Sequence, residues 1–141
     1  MISNELKAIV EQVKSQGKMI FLPGATENQV MEFEANNNVK LPSKYREWLL
    51  YSDGGEFFLP AGVQMYGVAH KPIIDATEND RPNENYIVIG TLASGDPILC
   101  ERNSERISIY NHEEGRIESD EIYTDFLAFL NDLSEMLGIG G

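Results

Sequence analysis

The side chains able to do chemistry are few, and their spacing limits what they can do. His70 and His112 are the two histidines of the chain. An imidazole becomes a general base or a metal ligand when a Cys, an Asp or another ligand falls at triad or ligand spacing. Neither histidine has such a neighbour, so both are read as exposed loop residues. Cys100 sits in an apolar run beside Leu99, where a cysteine acts as a small buried hydrophobe rather than as a thiolate nucleophile. Carboxylates cluster at Asp75, Glu78 and Asp80 and again at Glu113, Glu114 and Glu118. A glycosidase pair would have to face across a cleft on a rigid frame, whereas these lie in turn-like segments and read as solvated acidic loops. Asp96, following Gly95, supplies turn chemistry. The chain contains no H-E-x-x-H, C-x-x-C, G-x-S-x-G or P-loop, and no G-x-G-x-x-G opening a helix after a strand. The expectation is a protein with no catalytic residue, no cofactor and no metal.

Charge is distributed unevenly over the 141 residues. Eleven Lys and Arg oppose 23 Asp and Glu, for a net charge of −12. Residues 1–50 balance: Lys7, Lys14, Lys18, Lys40, Lys44 and Arg46 offset their acidic side chains, so the whole excess lies beyond residue 50. Such a balance argues against direct nucleic-acid or anionic-membrane binding, since both need clustered cations. It favours a solvated face or a basic partner. No stretch approaches the ~20 apolar residues of a membrane span. The N-terminus turns polar at once, unlike a signal peptide. With a single cysteine and hence no internal disulfide, the expected compartment is the cytoplasm.

Several elements must position these side chains. Leu6, Ile9, Val10 and Val13 repeat at helical spacing and predict a first helix over Asn4–Ser15. Met19–Leu22 suits a strand or an extended docking segment. Thr26 and Gln29 have capping-box spacing and open a second helix to Ala35, with Val30 and Phe33 inward and Asn36–Asn38 ending it. Leu41-Pro42-Ser43 opens a third, with Ser43 as its cap and Tyr45, Trp48 and Leu49 buried. It stops at Ser52-Asp53-Gly54-Gly55, where glycine permits positive φ.

Residues 56–59 and 63–66 form a hairpin around Pro60-Ala61-Gly62, and residues 71–85 a loop with one helical turn near Ile73–Thr77. Three β-rich runs follow, 86–90, 97–101 and 106–110, as an antiparallel meander. Asn111–Gly115 turns, and Ile117 adds a fragment of strand. Ile122, Phe126, Phe129, Leu130, Leu133 and Leu137 predict a closing helix over Glu121–Met136. Helices at both ends and strands between give a single α+β domain spanning 1–141, a mainly antiparallel sheet packed by helices.

The run Val39-Lys40-Leu41-Pro42-Ser43-Lys44-Tyr45-Arg46-Glu47-Trp48-Leu49-Leu50-Tyr51-Ser52-Asp53-Gly54-Gly55 resembles the hallmark of the SUKH superfamily, the Smi/Knr-type domain: an acidic helix, then Leu-Pro, spaced aromatics and an Asn/Asp-Gly-Gly stop. Glu34, the strand Ile87–Gly90, the turn Gly95-Asp96-Pro97-Ile98 and the closing Phe126–Leu130 continue the resemblance in order, over roughly residues 27–133. Asp53 stands where Asn is commoner.

The resemblance implies a helix-packed sheet with no enzymatic activity and no cofactor. Bacterial members resemble immunity proteins that neutralise polymorphic or contact-dependent toxins, many of them nucleases. Fungal members resemble regulators of cell-wall synthesis, which leaves a general interaction or regulatory module as the alternative. Two expectations follow. Leu41, Pro42, Tyr45, Trp48, Leu49, Gly54, Gly55, Gly95, Asp96, Phe126, Phe129 and Leu130 build the frame, with Gly54 or Gly55 at positive φ. The acidic loops at Glu78, Asp80 and Glu84 and at Glu113, Glu114 and Glu118 are the candidate contacts with a basic toxin domain.

Overall fold

A computed structural model describes residues 3–59, 62–70, 72–74, 85–102 and 104–136. Four helices and seven strands are found there, in the order α1 (Asn4–Gln16), β1 (Lys18–Ile20), α2 (Glu27–Asn37), α3 (Ser43–Tyr51), β2 (Gly55–Leu59), β3 (Val63–Met65), β4 (Tyr86–Thr91), β5 (Pro97–Glu101), β6 (Ile107–Asn111), β7 (Arg116–Tyr123) and α4 (Phe126–Met136). The strands form one sheet in chain order, each antiparallel to its neighbour. β1 joins β2 although α2 and α3 lie between them in the chain. This is the α+β class expected from helices flanking a meander.

Helix starts follow local chemistry. The Ser3 side chain accepts the Leu6 N–H at 3.1 Å. Thr26 and Gln29 make both halves of the capping box, at 2.9 and 3.1 Å. α2 runs past Ala35 to Asn37, and Asn38 ends it in the left-handed region at φ 51°, a conformation that Asn tolerates better than most residues. The third helix departs from expectation. Its N-cap is Pro42 without a side-chain bond, and Ser43 is its first turn rather than its cap. Glu105, from the β5–β6 connection, takes the Ser43 N–H at 2.8 Å, the Ser43 hydroxyl at 2.9 Å and the Lys44 N–H at 3.2 Å. A carboxylate accepting first-turn donors suits the positive end of the helix dipole.

The last helix starts later than its periodicity suggested. Ile122 belongs to β7, opposite Ser108, and is 46% exposed. α4 begins at Phe126, where the Asp125 carboxylate accepts the Ala128 N–H at 2.8 Å. The fragment expected at Ile117 is therefore a strand of eight residues. Ile73 makes a parallel bridge to Gly67 rather than opening a helical turn. The remainder of that turn, Asp75–Thr77, and Leu137 lie outside the described residues.

The helices cover one face of the sheet, α1 packing on α4 and α4 on α3. Leu41, Tyr45, Trp48, Leu49, Phe126, Phe129 and Leu130 share one core with Ile87, Ile89, Ile98, Cys100, Ile107 and Ile109. Trp48 is fully buried, edge-on to Phe57 at 5.3 Å between ring centroids. Tyr45 stacks edge-on to Phe126 at 4.7 Å.

Candidate functional site

The motif that ends α3 supplies two of the buried polar side chains found among the described residues, Ser52 and Asp53. Trp48 donates its indole N–H to the Gly54 carbonyl at 3.1 Å. The Ser52 hydroxyl donates to that same carbonyl at 2.9 Å and accepts the Leu22 N–H at 3.0 Å. Gly54 and Gly55 stand at φ 100° and 129°, as their place in the stop required. Asp53, between them and Ser52, is completely buried. Its Oδ1 accepts the Val68 N–H at 2.7 Å, and its Oδ2 accepts the N–H groups of Ala69 and His70, each at 2.8 Å. His70 Nδ1 lies 2.9 Å from the same oxygen. A carboxylate only accepts, so the Nδ1 proton points at Asp53. A Cβ on Gly67 would stand 2.5 Å from the Asp53 carbonyl oxygen, so the loop approaches this closely only because residue 67 has none.

A buried charge is tolerated when hydrogen bonds compensate it, and three backbone donors plus an imidazole do so here. The carboxylate clamps the 67–70 segment that leaves β3 onto the end of α3. His70 is therefore not a lone loop residue, although its side chain remains 40% exposed. His112 likewise has an aspartate partner: its Nδ1 and its backbone N–H reach Asp96 Oδ1 at 2.5 and 3.2 Å. His112 remains an exposed turn residue, as expected, and both pairings have one cause. The partners lie 17 and 16 residues apart in the chain, beyond local spacing, and strand pairing brings them together.

Neither pair is joined to a nucleophile among the described residues. The Ser52 hydroxyl is held by Gly54 and Leu22. Cys100 is buried, and desolvation pushes its thiol up to about 12 from 9.0, which keeps it protonated. Burial, and then the nearby Cys100 and Asp53, raise the Tyr45 hydroxyl well above its ordinary range, so it stays a donor, to the Tyr66 carbonyl at 2.5 Å. Among the described residues no three His, Cys, Asp or Glu side chains converge to hold a metal ion.

The Glu34 carboxylate accepts the Leu41 N–H at 2.8 Å and meets Arg46 Nε at 3.2 Å. It thereby holds the Leu41-Pro42 entry to α3. Gly95, at φ 93°, lies against the His112 ring, whose Cε1 would be 3.5 Å from an added Cβ.

The acidic positions divide. Glu113 and Glu114 are exposed in the β6–β7 turn, and Glu118 is partly buried at the start of β7. Asn111 organises them: its Oδ1 accepts the N–H groups of Glu113 and Glu114, each at 3.0 Å, and its Nδ2 donates to Glu118 at 2.7 Å. Arg116 Nε donates to the Glu114 carboxylate at 2.8 Å, a hydrogen bond that raises its already high pKa further. Asp96 and His112 tie this turn to the β4–β5 turn at the same end of the sheet. Glu78, Asp80 and Glu84 lie outside the described residues. β3 ends and β4 begins at the opposite end of the sheet.

Among the described residues no helix is long and apolar enough to cross a membrane. No curated protein matches the chain. The family model described as the SMI1 / KNR4 family (SUKH-1) matches residues 24–132. That span opens just before α2, contains the Asp53 clamp and the whole sheet from β2 to β7, and closes within α4. The ordered motifs and the match over most of the chain agree: the protein belongs to the SMI1 / KNR4 family (SUKH-1).

Proposed function

We propose that the protein is a non-enzymatic immunity protein that binds and neutralises a cognate toxin domain in the cytoplasm. Family membership over residues 24–132 carries this reading. The charge distribution supports it, because the whole net charge of −12 belongs to the part of the chain beyond residue 50. A toxin that acts on nucleic acid presents a basic cleft, and an opposed acidic surface accelerates encounter by ~10–10³. Glu113, Glu114 and Glu118 are the described contacts in this reading. Glu113 and Glu114 sit on a turn held by Asn111 and by the Asp96–His112 pair, and Glu118 at the start of β7 accepts from the Asn111 amide, so the backbone that presents them has little left to order.

Co-expression with toxin-like domains encoded beside the gene tests the proposal. A one-to-one complex and recovery of growth are expected. A toxin domain that stays active in the presence of excess protein would refute the immunity role.

A further inference from the structure

Both outer strands of the sheet have spoiled edges. β1 is three residues long, with an irregular register against β2. β7, outermost on the other side among the described residues, is eight residues long, enough to template a further strand. Its pairing with β6 breaks in the middle. Asn111 and Tyr110 face Arg116 and Ile117 in one register, and Ser108 and Ile107 face Ile122 and Tyr123 in another. Four residues, Glu118-Ser119-Asp120-Glu121, therefore stand against Ile109 alone, and three of the four are acidic.

Closing the hairpin does not require this bulge. The turn is already closed by the Gly115 N–H donating to the Asn111 carbonyl at 2.8 Å, and the Arg116 and Ile117 pairs set its register. Side-chain alternation does not require it either. Removing three residues would merge the two registers while leaving Ile117, Ile122 and Tyr123 on their present faces. What the bulge does change is the outer strand, whose register it shifts by three residues through a stretch of acidic sequence. Without it, a continuous ladder edge would run beside Ile117 and the half-exposed Ile122.

We propose that the acidic bulge of β7 is an anti-pairing device that keeps this edge from joining the same edge of a second copy of the chain. Twofold pairing brings identical edges together, so a stretch with three acidic residues in four would face its own copy at the point where the ladder register shifts. The proposal stands apart from the immunity reading.

Deleting Ser119–Glu121 tests it by analytical ultracentrifugation, with far-UV circular dichroism as the control for folding. The deletion variant is expected to shift, as its concentration rises, to twice the monomer mass, whereas the intact protein stays at 15.8 kDa. The variant Glu118→Gln/Asp120→Asn/Glu121→Gln, which keeps the bulge, is expected to stay monomeric at 0.1 M salt. A folded deletion variant that remains monomeric overturns the proposal. So does a charge variant that associates as strongly as the deletion. Should the deletion variant not fold, the intact protein decides the matter. The amides of 118–121 should exchange with solvent at a rate independent of protein concentration, in 0.1 M and in 1 M salt; protection that grows with concentration refutes the device.

Discussion

Replacing Asp53 with Asn changes one atom type at a fully buried group that four donors reach. The carboxylate accepts from three backbone N–H groups and from the His70 imidazole, at 2.7 to 2.9 Å. An amide retains one acceptor oxygen and turns two hydrogens toward donors that have nothing to give them. Hydrogen bonds to a charged group contribute about 1.5–3 kcal/mol each, and an orphaned buried donor costs about 1–3. Two effects reduce the sum. Ala69 is exposed, so its N–H can turn to water, and a neutral amide is easier to bury than a carboxylate. The expected loss is about 2–4 kcal/mol, which for a chain of this size lowers Tm by roughly 6–12 °C.

Urea unfolding followed by Trp48 fluorescence suits the measurement, since this single tryptophan is buried and bonded to Gly54 beside the clamp. His70→Ala should cost about 1 kcal/mol alone, and the Asp53→Asn/His70→Ala double variant should show a coupling of at least ~0.5 kcal/mol. If Asp53→Asn costs less than ~0.5 kcal/mol and the two changes add, the carboxylate does not clamp the loop.

Three further outcomes are expected. Replacing Glu113, Glu114 and Glu118 with Gln should slow association with a basic toxin domain about tenfold or less and flatten its salt dependence; stopped-flow rates indifferent to both changes would remove the electrostatic role. Glu105→Ala should destabilise the fold by about 1–2 kcal/mol, whereas Ser43→Ala should cost less than ~0.5, because the capping acceptor belongs to Glu105. Denaturation midpoints in the reverse order would contradict that assignment. The Cys100 thiol, pushed up to about 12 in the fold against 9.0 for a free thiol, should react with an aromatic disulfide at pH 8 only as fast as the chain opens. Its neutral form is the one the fold favours, so its contribution to stability is fully present below pH 9 and is lost as pH climbs from there toward 12. Reaction within the mixing time would show the thiol to be accessible.

Much of the frame was legible in the residues themselves. Helical spacing placed α1, α2 and α3 to within two residues, since an apolar stripe repeating every three or four positions has only one regular backbone that buries it. The capping box at Thr26 and Gln29 and the left-handed glycines after Asp53 are equally local, each set by bonds or φ values within a few residues. The overextension of α4 back to Glu121 shows the limit of such patterns. Ile122 continues the helical stripe, but β6 offered a strand partner first.

What the tertiary structure decided is every pairing between distant residues. The sequence shows an aspartate in a turn and two histidines in loops; only the folded sheet sets Asp53 under His70 and Asp96 beside His112. Glu105 caps a helix that begins 62 residues earlier, and no local motif announces it. The bulge of β7 is invisible for the same reason, being a mismatch between two strands and not a property of either. Local signals come from periodicity and backbone preference, which act over a turn or a strand. A hydrogen bond across tens of residues forms because burial of the core has already overcome the entropy of closing the loop between its ends.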